Sequence, residues 1–380
     1  METEPTTVER RRTDRRWMRV AIAASRQAEG RTSPNPPVGC CIIASCGRLL
    51  AVGHTARGGR PHAETEALSM AGEAARGGTV YVTLEPCAHT GETDPCTEAL
   101  IAAGIARVVI AVRDPDPRVN GRGIDQLVEA GLSVQIDVEA EAARQVLAGF
   151  LHRVKYRRPL VTVKTASSID GMIALNDGAK RWITGPLMRR YIHLQRSRSD
   201  ALLSAIGTVL TDDPQFTCRI PGLQIDSPHR YLLDGSLKTP LEANVLESIS
   251  YGGLTIFCRR DADPQKAIAL RAKGADLQPI ETDKNGQLDL HQVMTTIAEA
   301  GHNTLMVEAG GKLAASLLQA ALIDRILWTQ GLHLIGGDGI PAIGALRLCD
   351  LPIQPPFRHV SDGIFGDDRF ILVECLDEID

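Results

Sequence analysis

The strongest constraint on the fold comes from three short segments whose side chains suit a single metal ion. His62 and Glu64 open a predicted helix, Cys87 follows a predicted strand, and Cys96 precedes the next predicted helix. One imidazole and two thiolates can hold Zn²⁺ in a site that leaves the fourth tetrahedral position open. The chain must therefore fold so that the junctions between these strands and helices meet at one point.

The order of these residues is typical of zinc-dependent deaminases, whose signature is His-x-Glu followed by Pro-Cys and a second cysteine. Zinc lowers the pKa of a bound water to about 7, so a nucleophile exists at neutral pH. Glu64 lies two residues from His62 and can take a proton from that water. It can then deliver protons to a ring nitrogen and a departing amine. The sequence therefore predicts hydrolytic deamination of a nitrogen-rich ring.

Other interpretations of the zinc pattern stay open at the level of the residues. A structural zinc site, or a zinc-stabilised module without activity, normally has four protein ligands; His89 could be the fourth, but Glu64 would then have no role. A nucleic-acid-editing deaminase shares the metal site. It would need a basic surface lined by aromatic rings, whereas the net charge is −4 and aromatic residues make up 4% of the chain. The composition therefore argues against a nucleic-acid partner.

The chain divides into two parts with α/β patterns. Asp14 is placed to cap a first helix that extends to Ala28, and helices then alternate with apolar strands, as in a sandwich around a central sheet. The basic segment 152–159 lacks apolar periodicity and ends in proline, which predicts a linker between domains at 1–152 and 159–380. The first domain has predicted strands at 38–44, 49–52, 79–84 and 107–112 and predicted helices at 62–75 and 97–103. The second has predicted strands at 160–166, 201–204, 230–233, 254–257, 304–308, 325–328 and 369–374.

Length, composition and cysteine usage bear on the compartment. No apolar run approaches the roughly 20 residues that cross a bilayer, and nine scattered cysteines do not form the framework of a small secreted domain. The arginine-rich segment 10–16 lacks the apolar stretch of a secretory signal. We interpret it as a frayed, solvated leader into the first helix, with a transit peptide as the alternative. We expect a cytoplasmic protein without membrane contact.

The second domain carries weaker signals of its own. No Gly-x-Gly-x-x-Gly follows a strand, so the dinucleotide-binding fingerprint of the Rossmann fold is absent. Glu308-Ala-Gly-Gly311 closes a predicted strand and opens a helix that reaches Gln319. Backbone N–H groups in such a turn can hold a phosphate, although a tight strand–helix turn would need the same residues.

The spacing of the two cysteines makes a likeness specific. The segment Thr83-Leu-Glu-Pro-Cys-Ala-His-Thr-Gly-Glu-Thr-Asp-Pro-Cys96 resembles the deaminases of riboflavin biosynthesis, in which an insertion replaces Cys-x-x-Cys. Segments 33–39, 61–64, 113–117 and 121–123 agree with this family. The resemblance implies that His62, Cys87 and Cys96 bind zinc, that Glu64 is the proton donor and that Asn35 contacts the pyrimidine. The departures Ala88, Asp94 and Asp116 replace no ligand.

The likeness continues through the second domain and so covers essentially the whole chain. Segments 161–171, 182–184, 207–214, 217–219 and 307–311 resemble, in order, the reductase half of the same bifunctional family. The resemblance implies an α/β protein with a cytidine-deaminase-like three-layer α/β/α domain followed by a dihydrofolate-reductase-like α/β domain. It also implies NADPH as a cofactor. The residues implied at the NADPH site are Ala166, Trp182, Thr208, Asp212, Gly310 and Gly311, and those implied at the substrate site are Lys164, Lys180, Arg196, Phe216, Arg219 and Glu308.

Two successive reactions follow from this likeness. The first domain is expected to hydrolyse the 2-amino group of a diaminopyrimidinone ribosyl phosphate. The second is expected to transfer a hydride from NADPH to C1′ of the open-chain ribose of that product. The alternative is a deaminase whose second domain only binds or scaffolds. The expected partner is this small molecule, with self-association into a homo-oligomer left open.

Three departures concern the reductase half. The family usually has Lys or Arg where this chain has Met172, a small polar residue where it has Lys180, and a Pro-Lys pair where it has Leu332-His333. Met172 removes a positive charge that Lys180 can restore. The Lys180→Ser variant is therefore expected to bind substrate more weakly, and an unchanged KM would contradict this compensation. Lys180, Arg181 and the pair Arg189-Arg190 are all candidate partners for the 2′-phosphate of NADPH.

Overall fold

A computed structural model describes residues 6–89, 94–117, 119–176, 181–346 and 357–376. The chain forms two compact units, Met1–Arg157 and Arg158–Asp380. Each has its own β-sheet and its own buried apolar core. No helix within the described ranges combines the length and the apolar character needed to span a membrane.

The first unit contains five helices and five strands in the described residues. The helices are α1 (Thr7–Ser25), α2 (Ala63–Ala71), α3 (Cys96–Ala102), α4 (Arg122–Glu129) and α5 (Ala140–Tyr156). The strands are β1 (Gly39–Ile43), β2 (Leu49–His54), β3 (Thr79–Leu84), β4 (Arg107–Val112) and β5 (Ser133–Gln135). They form a mixed sheet in the order β2-β1-β3-β4-β5, in which β3, β4 and β5 are parallel and β1 is antiparallel to both of its neighbours.

Helices cover both faces of this sheet. Gly39 pairs with His54, so Gly53, the residue before His54, points to the opposite face. A Cβ atom on Gly39 would lie 2.0 Å from Ala21 O in α1, whereas one on Gly53 would lie 2.6 Å from Ala63 O in α2. Helices α1 and α5 pack together on one face, and α2, α3 and α4 follow one another on the other. The three-layer α/β/α architecture predicted from the sequence is confirmed.

The first helix begins earlier than predicted. Thr6 is its N-cap and forms a capping box with Glu9, so the arginine-rich segment 10–16 is helical and not a frayed leader. Asp14 is not a cap; it is buried in the middle of the helix. Its carboxylate accepts hydrogen bonds from Arg107 at 2.7 and 2.8 Å and from the Tyr81 hydroxyl at 2.9 Å. Aspartate is a residue type that often caps helices, but the Asp14 carboxylate binds side chains that are distant in sequence instead.

The predicted linker at 152–159 is also corrected. Helix α5 continues through Tyr156, and Arg157 ends it in the left-handed conformation at φ 59°. Leu151 and Val154 pack against the core of the first unit, and Arg153 donates a hydrogen bond to Pro34 O at 2.8 Å. Lys155 and Arg157, two of the basic residues that hid the apolar periodicity, are exposed. The boundary between the units therefore falls at Arg157–Arg158.

The second unit is built around a nine-stranded sheet. Its helices are α6 (Pro186–Ser197), α7 (Ile206–Asp212), α8 (Asn244–Glu247), α9 (Pro264–Ala272), α10 (Leu290–Glu299) and α11 (Gly311–Gln319). Its strands are β6 (Leu160–Ser167), β7 (Met172–Leu175), β8 (Ala201–Ala205), β9 (His229–Leu233), β10 (Leu254–Cys258), β11 (Asp276–Pro279), β12 (Thr304–Glu308), β13 (Arg325–Gln330), β14 (Gly339–Pro341), β15 (Phe357–Phe365) and β16 (Asp368–Cys375).

The strand order of the large sheet is β11-β10-β9-β8-β12-β6-β13-β16-β15, and β14 pairs with β7 in a separate ribbon. The seven strands from β11 to β13 are parallel, and β16 and β15 close the sheet in antiparallel fashion. The carboxyl ends of the parallel strands share one edge, which is where ligands bind in α/β sheets of this kind. All seven strands predicted for this unit are present, whereas β7, β11, β14 and β15 were missed.

Candidate active sites

The three predicted zinc ligands lie together in the first unit. His62 is the N-cap residue of α2, Cys96 is the first residue of α3, and Cys87 lies in the loop after β3. His62 Nδ1 is 3.3 Å from Cys96 Sγ and 3.7 Å from Cys87 Sγ. The ligand atoms all lie within 4.8 Å of one another. Within the described ranges, no other histidine, cysteine or acidic side chains form such a group.

The chemistry of this set fits zinc. One imidazole nitrogen and two sulfurs converge on a half-buried point, and His89 lines the same pocket without joining the group. The backbone N–H of Cys96 donates to Cys87 Sγ at 3.3 Å. Hydrogen bonds from Cys96 and His62 lower the pKa of the Cys87 thiol to about 4, so that this sulfur is available as a thiolate. A three-ligand site is the open arrangement expected of a catalytic zinc.

Glu64 lies in the first turn of α2, beside the metal ligands, and is 4% exposed. Burial, reinforced by the neighbouring Cys87, raises the pKa of Glu64 to about 7. A carboxyl group in this range can both accept and donate a proton near neutral pH. The position and the environment of Glu64 thus suit the acid–base role expected of it.

Asn35 lies in the same pocket, which has a volume of about 110 Å³ and is also lined by His62, Glu64 and Cys87. Its side-chain amide donates to Gly59 O at 2.9 Å. Gly59 has φ 88°, and a Cβ atom there would lie 2.4 Å from Asn35 Nδ2, so only glycine permits this approach. The loops that carry Asn35 and His62 are therefore packed tightly against each other.

A larger cleft, with a volume of about 2180 Å³, opens in the second unit. It collects almost all of the residues that the sequence resemblance implied for the reductase. The residues that line it include Ala166, Trp182, Thr208, Asp212, Gly310, Gly311, Lys164, Arg196, Phe216, Arg219 and Glu308. Lys180 lies outside the described residues. The structure therefore brings together residues that are as much as 147 positions apart in the sequence, from Lys164 to Gly311.

A buried charge cluster marks one part of the cleft. Glu308, at the end of β12, pairs in register with Lys164 of the neighbouring β6, and the Lys164 Nζ to Glu308 Oε2 distance is 3.8 Å. Arg196 donates to both Glu308 oxygens at 2.6 and 2.9 Å and to Thr217 O at 3.0 Å. Burial alone would raise the pKa of Glu308, but the two cations outweigh it and lower that pKa to about 2. Glu308 is therefore ionised and fixes both cations in place.

The remaining residues of the cleft suit an elongated, anionic ligand such as NADPH. Gly310 and Gly311 form the turn between β12 and α11, and Thr208 and Asp212 lie on α7. Trp182 is 74% exposed, and the Arg189 guanidinium lies 4.4 Å from the centre of its ring. Cationic side chains from loops and from the helices α6 and α11 line the cleft: Arg181, Arg189, Lys238, Arg259, Lys284 and Lys312. Of the candidates for the 2′-phosphate, Arg181 and Arg189 line the cleft and Arg190 does not.

Two of the three departures from the family pattern, Met172 and Leu332-His333, lie in the described residues. Met172 begins β7 and packs against Gly339, and neither it nor Leu332 nor His333 lines the cleft. The prediction that Lys180 compensates for Met172 stays a prediction, because Lys180 is not described.

Two further residues lie at these sites although the sequence analysis gave them no role. Glu85, inside the quoted cysteine motif, is buried and lines the zinc pocket; a glutamate between an apolar strand and Pro-Cys was the available signal. His193 lies between Thr217 and Arg219, with its Nδ1 3.1 Å from Thr217 O and 3.2 Å from Arg219 N. Burial, together with Arg196 and Arg219, lowers the pKa of His193 to about 4. In the sequence, a single histidine on a predicted helix does not indicate that the residue lies at a site.

Two family models match the chain. The cytidine and deoxycytidylate deaminase zinc-binding region matches residues 11–112, and the RibD C-terminal domain matches residues 159–349. The riboflavin biosynthesis protein RibD of Escherichia coli (strain K12) is 38% identical over 355 residues, which cover 89% of this chain and 91% of that protein. RibD of Aquifex aeolicus (strain VF5) is 36% identical, with coverage of 95% and 98%.

Solved structures agree over the full length. Acinetobacter baumannii RibD (form 1) superimposes with a TM-score of 0.85 at 32% identity, covering 97% of this chain and 100% of that one. A diaminohydroxyphosphoribosylaminopyrimidine deaminase/5-amino-6-(5-phosphoribosylamino)uracil reductase of Thermotoga maritima gives a TM-score of 0.83 at 29% identity, with the same coverage. The chain therefore belongs to the RibD family of riboflavin biosynthesis proteins.

Proposed function

We propose that each unit of this bifunctional deaminase and reductase carries one complete active site. The first unit, 1–152 in the sequence-based division, would deaminate 2,5-diamino-6-ribosylamino-4(3H)-pyrimidinone 5′-phosphate. The second, 159–380, would reduce the ribosyl side chain to give 5-amino-6-ribitylaminouracil 5′-phosphate. The observation that carries the proposal is that, among the described residues, those lining the zinc pocket belong to the first unit and those lining the large cleft belong to the second.

In the first site, His62, Cys87 and Cys96 would hold the zinc ion and Asn35 would orient the pyrimidine. When bound, zinc makes a water molecule nucleophilic at neutral pH. Glu64 would accept the proton of that water on its carboxylate and pass protons to the ring nitrogen and to the leaving amino group. Water adds and ammonia leaves, so the ring gains an oxygen and loses a nitrogen.

In the second site, Arg196, Arg219, Phe216, Lys164, Lys180 and Glu308 would bind the substrate. The chemistry that NADPH supplies when bound is hydride donation. Arg219, whose side chain is not held by Glu308 in the way that Arg196 is, would contact the ribose phosphate. Lys164 and Arg196, fixed by Glu308, would orient the ribosyl chain. Ala166, Trp182, Thr208, Asp212, Gly310 and Gly311 would hold the cofactor.

Product analysis by mass spectrometry tests both halves. Purified protein is incubated with the diaminopyrimidine phosphate, once without and once with NADPH. We expect only the deaminated compound in the first sample and the ribityl compound in the second. If deamination proceeds and NADPH changes nothing, the second unit is not a reductase.

The Glu64→Gln variant assigns the acid–base role. The amide cannot accept the proton, so we expect the deamination rate to fall by about 10²- to 10⁴-fold. Reduction of chemically supplied deaminated substrate serves as the internal control and should keep the wild-type rate. Deamination at the wild-type rate in this variant would exclude Glu64 as the proton carrier.

The compartment and the assembly are also proposals. Eight cysteines lie in the described residues and none of them forms a disulfide, which supports a reducing, cytoplasmic location. Self-association into a homo-oligomer can be measured by light scattering of the purified chain.

A further inference from the structure

Glu85 is a buried carboxylate for which the proposed chemistry has no use. It is 3% exposed and lies directly after β3, two residues before the zinc ligand Cys87. Its Oε2 atom accepts hydrogen bonds from the backbone N–H groups of Asp114 at 3.2 Å and Gly121 at 3.0 Å. Its Oε1 atom accepts from Gly123 at 3.0 Å and Ile124 at 3.2 Å. One side chain thus binds four backbone donors of a single loop and helix.

These donors include the beginning of α4, which lacks a cap of its own. The N-cap position is Gly121, which has no side chain and has φ 92°, and no local side chain accepts from the helix. The first N–H groups of a helix need acceptors, and an acidic side chain is favoured there. Glu85 supplies that acceptor from a different element. Gly123 permits the approach, because a Cβ atom on it would lie 2.2 Å from Pro86 O.

Helix α4 in turn contacts the segment that holds Cys87. The Thr97 hydroxyl donates to Gln126 Oε1 of α4 at 2.6 Å. The backbone N–H of the same threonine donates to Cys87 O at 3.3 Å, and Cys96 N donates to Cys87 Sγ. Hydrogen bonds thus link Glu85 to α4, α4 to Thr97, and Thr97 to Cys87, and the main chain connects Cys87 back to Glu85. We call this set of links the circuit.

We propose that Glu85 is a positioning residue of the deaminase site. By capping α4 from the neighbouring strand, it fixes the backbone of Cys87 where the thiolate meets His62 and Cys96. It also fixes the loop whose residues Asp114 and Asp116 line the pocket. The inference rests on the zinc-dependent function proposed above.

The test measures zinc affinity by competition with a chromophoric chelator, in the full chain. In Glu85→Gln the amide nitrogen cannot accept, so two of the four backbone donors lose their partner. We expect zinc to bind roughly 10- to 100-fold more weakly, as is typical when the supports of metal ligands are removed. The KM for the pyrimidine should rise with it, while the reductase rate of the same sample stays at the wild-type value.

A matched control and a milder variant separate positioning from folding. Asp14→Asn removes another buried carboxylate of the same unit, on the α1 side of the sheet, and should lower the Tm without changing zinc affinity. Gln126→Leu removes the acceptor of the Thr97 hydroxyl, at a half-buried position, and so breaks the circuit between α4 and Thr97. It should also weaken zinc binding, but by a smaller factor than Glu85→Gln. If Glu85→Gln does not fold, the zinc affinity of Gln126→Leu tests the proposal instead.

The possible results are distinct. Wild-type zinc affinity in both Glu85→Gln and Gln126→Leu would overturn the proposal, and so would an equal loss of affinity in Asp14→Asn. A wild-type chain that binds no zinc would refute the metal site itself, and this inference with it.

Discussion

Two buried carboxylates, Glu64 and Glu308, show how the surroundings of a residue decide its chemistry. Burial dominates at Glu64 and, with Cys87 nearby, raises its pKa to about 7. Glu308 is equally buried, yet Arg196 and Lys164 lower its pKa to about 2. The first group can exchange protons near neutral pH, whereas the second stays ionised and anchors two cations. The same residue type is therefore suited to exchange protons in one unit and to act as a fixed anion in the other.

The low pKa of Glu308 predicts a pH dependence of stability. Its folded-state pKa of about 2 lies below the ordinary value of 4.5, so the stabilisation is complete above about pH 5. It is lost as the pH falls from there towards 2. The expected upper limit at neutral pH is on the order of 3 kcal/mol. The measurement is the free energy of unfolding of wild type and Glu308→Gln between pH 7 and pH 3.

The difference between the two proteins should shrink as the pH falls, because Glu308 of the unfolded wild-type chain binds a proton near its ordinary pKa of 4.5, whereas the folded carboxylate stays ionised until about pH 2. A difference that stays constant over this range would mean that Glu308 is not an ionised partner of Arg196. Stability that rises in the wild type alone on acidification would contradict the sign of the shift.

The elements of the first unit are held by very close packing at glycines. Helix α1 lies directly on β1 at Gly39, where a Cβ atom would be 2.0 Å from Ala21 O and 2.6 Å from Ser25 N. These are backbone atoms, so a side chain cannot turn away to make room. Close contact between a helix and a strand is thus decided by the absence of a single methyl group.

Gly39→Ala is accordingly expected to push α1 away from the sheet. We expect it to destabilise the first unit by about 1–3 kcal/mol or more, since this is the usual range for overpacking. Thermal unfolding followed by circular dichroism measures the effect. Gly47→Ala is the matched control: Gly47 has φ 83° and no atom within 4 Å of its Cβ position, so only the cost of the left-handed conformation, about 1 kcal/mol, remains. Equal effects of the two substitutions would disprove the packing argument.

Which elements could be predicted depends on how they are buried. The strands of the parallel core, such as β12 and β8, are short apolar runs and were predicted nearly residue for residue. Strand β11 contains Asp276 and Pro279 at the exposed edge of the sheet, and β15 is mostly exposed. Edge strands carry polar residues and proline, so their composition resembles that of loops.

At the scale of the whole molecule, each unit has a separate sheet, core and site. We therefore expect fragments 1–157 and 158–380, produced separately, to retain deamination and reduction respectively. The assay is the mass-spectrometric product analysis applied to each fragment. Absence of both activities from otherwise folded fragments would show that the sites are not self-contained.

The position of the cut provides a second comparison. Fragment 1–152 would lack Val154, which packs on the core, and Arg153, which binds Pro34 O at 2.8 Å. It is expected to unfold at a lower temperature than fragment 1–157. Equal stability would favour the original interpretation of 152–159 as a linker.

The order of residues was enough to predict zinc-dependent deamination in the first unit and the α/β alternation of both units. Ligand types, their order and their places at strand–helix junctions are local properties, so His62, Glu64, Cys87 and Cys96 could be named as candidates without coordinates, and the structure brings the three candidate ligands together. Only the tertiary structure assigned partners across long separations: Asp14 to Arg107, Glu85 to the start of α4, and Arg196 to Glu308. An acidic side chain carries the same sequence signal whether it caps its own helix or binds a distant element. Its partner is decided by which elements the order of strands brings beside it and by the free energy of burying a charge, which requires an opposite charge or several hydrogen-bond donors nearby.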